Sequence, residues 1–367
     1  MGSDGSGFSI RGTFVSPTLS AEDLSVVRVS EAQPADEMAW NKFVDEHPSG
    51  SFFHLFQWRD VLTRSVGFEA HYLVARRHGQ IVGVLPIMRL SSRIFGDAMV
   101  SLPFCVEAGI LAQDSAAGTA LIDEAVQRAE RARVGYLELR HSRRAFDHLP
   151  CKDAVYVNFS RTLAPDVEGN MKAIPRKQRA VVRKGIEAGL ISREAPDLDV
   201  FFKIYATSVR NLGTPVFPRR YFQTLHELFA TRAEITTVYH GKTPVASVFS
   251  FKYKNTIMPY YGGGLPLARN LKAYDFMYWE VMRRATESGL TRFDYGRSKT
   301  GSGSFAFKKN WGFEPTPLAY EYHLVTAEEF PNRSPNNPQY SLAIDVWKRL
   351  PLPLANFLGP LISPYLA

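Results

Sequence analysis

The sequence predicts an α/β fold with mixed sheets, in which one strand-and-helix unit is laid down twice. Three observations predict it. The run Glu124-Ala125-Val126-Gln127-Arg128-Ala129 returns 156 residues later as Glu280-Val281-Met282-Arg283-Arg284-Ala285, and without a gap Glu138 then meets Asp294 and Ser142 meets Ser298. Each run continues into a short strand, YLELRHS in the first copy and RFDYGRS in the second, so the apolar period drops from three or four residues to two. Each is also preceded by a hairpin: His71 to Leu90 turning at His78-Gly79-Gln80, and Thr236 to Tyr253 turning at His240-Gly241-Lys242. A third strand follows each hairpin, Ala98 to Phe104 and Thr256 to Tyr261. Repetition of the whole order argues for duplication rather than chance.

Helices are expected ahead of each hairpin. They are Ala35 to Glu46 and Phe53 to Ser65 in the first half, then Pro175 to Ala188, Leu198 to Asn211 and Pro218 to Thr231 in the second. The domains are placed at 24–155 and 156–325, after a flexible leader over 1–23. A Pro-rich tail over 326–367 holds a helix-like stretch, Tyr340 to Leu350. Its last residues, PLPLANFLGPLISPYLA, are apolar, with four prolines expected to prevent a continuous helix. Packing on a domain is the plain reading of that end, with a membrane-surface contact as the alternative.

The totals describe a globular chain, 45% hydrophobic and 22% charged. No apolar run spans a bilayer and the start lacks a secretory pattern, so a cytoplasmic setting is expected, with the inner membrane surface as a possible station. Cys105 and Cys151 are the only cysteines and sit outside metal-ligand spacing, which predicts neither a disulfide framework nor a metal site. A net charge of +8 favours an anionic partner: a nucleotide, a tRNA or an anionic membrane. Nucleophile-elbow, P-loop, zincin and dinucleotide motifs are missing, which removes most support for hydrolase, nucleotidase and metalloenzyme readings.

Three segments of the second half carry candidate chemistry. In Met171 to Leu190, Arg176, Lys177, Arg179, Arg183 and Lys184 concentrate positive charge on a helix opened by Pro175. Arg179 and Arg183, four apart, share a face suited to a phosphate; a solvated basic face is the bland alternative. In Met258 to Ala273, the run Gly262 to Gly264 brings bare backbone near the helix that starts around Ala273, with Arg269 and Lys272 beside it. That is either a phosphate-binding loop or an ordinary flexible one. In Phe293 to Pro315, Lys308 lies among aromatics, where on spacing alone a snorkelling or cation–π lysine is the favoured reading.

At these residues the chain resembles the FemABX family, in which two GNAT (acyl-CoA N-acyltransferase)-like domains stand in tandem. The resemblance rests on Phe307-Lys308-Lys309-Asn310-Trp311-Gly312, on the basic segment from Pro175 to Lys184, and on the aromatic entry Phe52-Phe53-His54-Leu55-Phe56-Gln57-Trp58. Tyr260-Tyr261-Gly262-Gly263 and Phe293-Asp294-Tyr295-Gly296-Arg297-Ser298 look closest to the FemAB-like proteins of exosortase (PEP-CTERM) and exopolysaccharide systems. The resemblance implies two tandem GNAT-like domains and a transferase that joins an amine to an activated acyl group. The donor would be aminoacyl-tRNA or acyl-CoA as co-substrate, with no tightly bound cofactor.

Carried over residue by residue, Lys308 would stabilise the tetrahedral oxyanion, a role able to lower a barrier by roughly 3–4 kcal/mol. Asp294 would accept a proton or orient Arg297, while Trp58, Tyr260 and Tyr261 are candidate groove residues for the acceptor; Phe307, Gly262, Gly263 and Arg297 are counted with them as substrate-binding candidates. The family's precursor-holding arginine falls on Phe217, although Tyr221 keeps the tyrosine four residues on; Arg219 or Arg220 would have to substitute. That departure favours an anionic or sugar-linked acceptor other than the peptidoglycan precursor. Against the transferase stand an acyl-CoA acetyltransferase and a catalytically inactive protein that binds an anionic polymer or membrane.

Overall fold

The computed structural model describes residues 26–153, 155–330 and 341–366. The expected leader, 1–23, lies outside the described residues, as does the 331–340 part of the tail. In the second half, strands β11 (Leu190–Glu194), β12 (Ala233–His240), β13 (Thr243–Tyr253), β14 (Thr256–Gly264) and β15 (Arg292–Lys299) run in that order across a seven-stranded sheet completed by β10 (Tyr156–Thr162) and β16 (Pro315–Pro317). The first half has the same order, but its middle strands are each cut in two. They are β1 (Arg28–Glu31), β2 with β3 (Glu69–Ala70, Leu73–Arg77), β4 with β5 (Gln80–Leu85, Met88–Ser92), β6 with β7 (Gly96–Val100, Leu111–Ala112), β8 (Tyr136–His141) and β9 (Cys151–Lys152). The break between β4 and β5 falls at Pro86, which has no N–H for the ladder, and the single sheet becomes one of four strands and one of six.

The predicted hairpins and repeated helices are present. The latter are α3 (Ser115–Arg131) and α9 (Ala273–Glu287); α1 (Glu37–Glu46) and α2 (Trp58–Val66) precede the first hairpin. In the second half α4 (Val167–Ala173), α5 (Arg176–Glu187), α6 (Leu198–Leu212) and α7 (Arg219–Leu228) precede β12. The short α8 (Pro266–Asn270) and then α10 (Gly303–Asn310) complete that unit. Two helices close the chain, α11 (Ser341–Arg349) and α12 (Leu352–Ile362). The second corrects the expectation that prolines would break the apolar end. Pro351 is the N-cap and Pro353 lies in the first turn, where a missing N–H costs nothing, so Pro360 alone interrupts the bonding pattern.

The sequence gives no sign of how the repeats are joined. Strand β17 (Ala319–Leu324), in a segment assigned from sequence to the second domain, pairs antiparallel with β8 and β9 of the first sheet. Reciprocally β10, which follows β9 as β17 follows β16 and opens the segment assigned from sequence to the second domain, pairs antiparallel with β15 and β16 of the second sheet. Each repeat thus lends its last strand to the other, and neither sheet is complete without its neighbour.

The exchange buries polar groups as well as ladders. Glu321 on β17, with no solvent exposure, accepts hydrogen bonds from Phe146 N (2.7 Å) and Ala145 N (3.1 Å) and pairs with His141 Nδ1 at 2.7 Å. Burial opposes its charge, yet the His141 bond and those amides hold its carboxyl below the ordinary value. Aromatics fill the seam between the repeats: Phe52 packs on Phe229 and Phe251, with centroids 4.7 and 4.6 Å apart. Each such fully buried ring contributes about 1.5–3 kcal/mol.

Glu321→Ala leaves a buried imidazole and two amides without their acceptor. It is expected to lower unfolding stability by about 2–4 kcal/mol in a urea titration. Because the strands are exchanged, the two repeats should still unfold in one calorimetric transition; two resolved transitions would contradict the exchange.

Candidate active site

The candidate site lies where two strands of the second sheet part. Strands β14 and β15 are parallel and paired only at Thr256–Arg292 and Ile257–Phe293, and then diverge. A bulge on each sits at the divergence: Tyr260 is the extra residue opposite Phe249 and Ser250, and Tyr295 the extra residue opposite Phe159 and Ser160. Gly296 follows with φ +69°, a left-handed conformation that favours glycine. The gap opens into a cavity of about 720 Å³ walled by Pro259, Tyr260 and Gly262 on one side and by Tyr295, Gly296 and Arg297 on the other. Helices α5, α8, α9 and α10 close it with Gln178, Arg269, Lys272, Tyr274, Asp275, Tyr278, Phe307 and Lys308.

Lys308 reaches the cleft from α10, a helix started by Ser302, whose hydroxyl accepts from Phe305 N. Its Nζ donates to Gly296 O at 2.8 Å and Arg297 O at 3.0 Å and lies 5.6 Å from the Phe159 ring. The residue is 8% exposed. Burial pushes its pKa down to about 7, with Asp294 opposing the shift and Arg297 adding to it. Near neutrality this amine therefore exists in both protonation states, beside a cavity and fixed on two carbonyls.

Asp294 stands behind the cavity wall. Its carboxylate accepts from Gly296 N (2.7 Å) and Asn158 Nδ2 (3.1 Å), and burial raises its pKa. It holds the Gly296 turn in shape and places negative charge near Lys308, as a positioning group. Arg297 lines the cleft, but its guanidinium lies over Tyr156 (4.6 Å) and donates to Tyr320 Oη (3.0 Å), tying β15 to both exchanged strands. Tyr260 Oη donates to Phe104 O of the first repeat at 2.7 Å, leaving its ring as wall.

The remaining predicted residues separate. Phe307 and Gly262 line the cavity. Trp58 and Tyr261, expected in a groove, and Tyr221, which keeps the family's precursor-holding tyrosine, are buried in the seam between repeats: Trp58 Nε1 donates to Phe52 O, and the Tyr221 and Tyr261 hydroxyls are 2.7 Å apart. Phe217, where the family's arginine falls, packs on Phe104 and Tyr221 at 4.7 and 4.9 Å, so aromatic rings occupy that position. The glycine run is no loop. It ends strand β14, where a Cβ on Gly262 would lie 2.9 Å from Tyr278 Oη and one on Gly263 would lie 2.9 Å from Ser208 Cβ. Close packing, not phosphate contact, accounts for Gly263.

Arg176, Arg179 and Arg183 belong to α5, yet that helix turns Gln178 and Val181 to the cavity and keeps Arg176 and Arg183 exposed. Arg219 pairs with Asp199, and Arg220 is exposed outside the cleft.

Sequence reasoning missed Asp275. It lies in the first turn of α9, buried, and accepts from Trp311 Nε1 (3.1 Å) and Gln178 Nε2. Burial raises its pKa. This gives the Trp311 of the Phe-Lys run a task, since from the C-terminal cap of α10 it ties that helix to α9. A buried indole needs an acceptor, which was the available signal.

Comparison with known proteins bears on this arrangement. Residues 170–309 match the acetyltransferase (GNAT) domain family, a span that includes the cleft and Lys308. The chain is similar to the crystal structure of FemX, with TM-score 0.63 and 14% identity over 86% of this chain and 100% of that one. It is also similar to the C-terminal domain of a putative lysylphosphatidylglycerol synthetase from Agrobacterium fabrum (TM-score 0.53, 15% identity, 78% of this chain and 91% of that one). A tandem GNAT protein from the clavulanic acid biosynthesis pathway follows (TM-score 0.52, 13% identity, 83% and 100%). No match to a curated protein sequence was found. With the duplicated topology, these likenesses give the chain a tandem GNAT-like fold, similar to that of FemX through both repeats.

Proposed function

We propose that the chain forms an amide by passing an aminoacyl or acyl group to an amine on a sugar-linked envelope or exopolysaccharide precursor. The observation that carries this reading is the Lys308 amine, buried at the parting of β14 and β15 and open to the cavity. The acceptor nitrogen attacks the acyl carbon, the new C–N bond forms, and the carbonyl oxygen takes up negative charge. A protonated Lys308 beside that oxygen stabilises it in a setting where little water competes. The C–O or C–S bond to the carrier then breaks, the leaving atom takes a proton, and the amine nitrogen gives one up to solvent. A lysine with pKa near 7 can supply the proton to the leaving atom.

The donor's carrier is polyanionic in this reading, drawn by Arg269 and Lys272 at the cavity and by the exposed basic residues of α5. Asp275 favours aminoacyl-tRNA over acyl-CoA: its carboxylate occupies the first turn of α9, where a pyrophosphate would otherwise meet free amides. The GNAT-domain match favours acyl-CoA and keeps it as the second reading. The ring-filled position of Phe217 supports an acceptor other than the peptidoglycan precursor.

Aminoacyl-tRNA is expected to raise the melting temperature and acetyl-CoA to leave it unchanged, read by thermal shift. Stabilisation by acetyl-CoA alone would replace the tRNA reading with the acyl-CoA one. Lys308→Met should lower kcat by about 100-fold or more with a smaller change in KM, measured by mass-detected product formation. A variant as active as wild type would remove Lys308 from the chemistry, and no product even with wild type would leave the inactive-binder reading standing. Between pH 7 and 10.5 the unfolded chain holds more protons at Lys308 than the folded one, so this group makes wild-type stability rise with pH. Lys308→Met should lack that contribution, a difference in slope of up to about 1.4 kcal/mol per pH unit in denaturant titrations.

A further inference from the structure

Helix α12 presents two opposite faces. Ala355 and Gly359, four apart, are buried, and a Cβ on Gly359 would lie 2.9 Å from the Val216 backbone, so this face is fixed against the α6–α7 connection. Leu354, Phe357 and Leu361, spaced three and four apart, point the other way and are 43%, 71% and 62% exposed. Residues 350–366 contain no charged side chain. The preceding α11 adds Leu342 and Val346, 76% and 54% exposed, and is anchored where Arg210 donates to Lys348 O.

Leu212, 71% exposed, ends α6 and lines the mouth of the transfer cavity; its neighbour Gly213 abuts Ile344 and Lys348 of α11. Helix α5, which turns Gln178 and Val181 to the cavity, shows Arg176, Lys177, Arg183 and Lys184 to solvent on its other sides, and Arg269 and Lys272 line the cavity. Among the described residues no salt bridge occupies any of these six cations.

We infer that the α11–α12 pair is a docking face for an anionic bilayer, on which the chain rests with the cavity mouth beside the membrane. An anionic lipid surface answers both features, covering the exposed leucines and Phe357 with acyl chains and the cations with phosphate. A second copy of the chain would cover the apolar residues but set like charges together. A nucleic acid would answer the cations and leave the apolar face in water. Among the described residues no helix is long and apolar enough to cross a membrane, so the contact is interfacial. This inference shares its cations with the donor-carrier reading above; the exposed apolar residues of α11 and α12, which that reading leaves unused, are what call for a bilayer.

The test is co-sedimentation of the full-length protein with vesicles of phosphatidylcholine alone or containing phosphatidylglycerol. Wild type is expected to pellet with the anionic vesicles, to be released by about 0.5 M salt, and to stay in solution with the neutral ones. Phe357→Asp with Leu361→Asp, at exposed positions, should keep the wild-type melting temperature and lose roughly tenfold or more in vesicle affinity. Three results would overturn the proposal: no pelleting of wild type, equal pelleting of the double variant, or a wild-type dimer in light scattering that the double variant abolishes without any vesicle binding.

Discussion

The structure turns on the placement of one amine. Lys308 Nζ is held on the carbonyl oxygens of Gly296 and Arg297, and those carbonyls face it because β15 bulges at Tyr295 and turns at Gly296. A lysine so buried is costly unless its surroundings compensate, and here two carbonyls, the nearby Asp294 and the Phe159 ring do so in part. The remaining penalty appears as a depressed pKa, which lets the amine exchange a proton near neutrality.

The strand exchange serves that placement. Phe159 and Asn158, which flank the amine and Asp294, belong to β10, the strand lent by the first repeat. Tyr320, which takes the Arg297 hydrogen bond, belongs to β17, the strand lent by the second, and its own hydroxyl donates to Val106 O. The surroundings of the Lys308 amine are therefore assembled from both repeats even though the cavity lies in one. The first repeat has no counterpart of α10: the segment between β8 and β9 forms a loop, Ser142 to Pro150, closed onto Glu321. Duplication here supplies support and seam, with the amine on one side only.

The repeat was legible because period and order survive in sequence: a helix with apolar residues at three and four, then a strand at two, in both copies. The exchange was not, because nothing local at 156–162 or 319–324 names a partner, and partners are chosen by edges that only the folded sheets possess. Lys308 and Phe307 were found through a local run of residues, whereas Asp275 was missed because its partners, Gln178 and Trp311, lie far along the chain. Trp58, Tyr221 and Tyr261 show the opposite failure. An aromatic side chain has the same sequence signature in a groove as in a seam, and burial alone separates them. For Gly263 neither a phosphate-binding nor an ordinary flexible loop holds, since it lies in β14 and the close approach is that of Ser208 and Tyr205.

The most direct measurement is the titration of the Lys308 amine itself, by heteronuclear NMR of lysine labelled at the side-chain nitrogen and assigned with Lys308→Met. The account predicts a midpoint of about 7 for this one lysine. A midpoint at the ordinary 10.5 would mean that the amine is hydrated and free of the cleft wall, and would contradict the account.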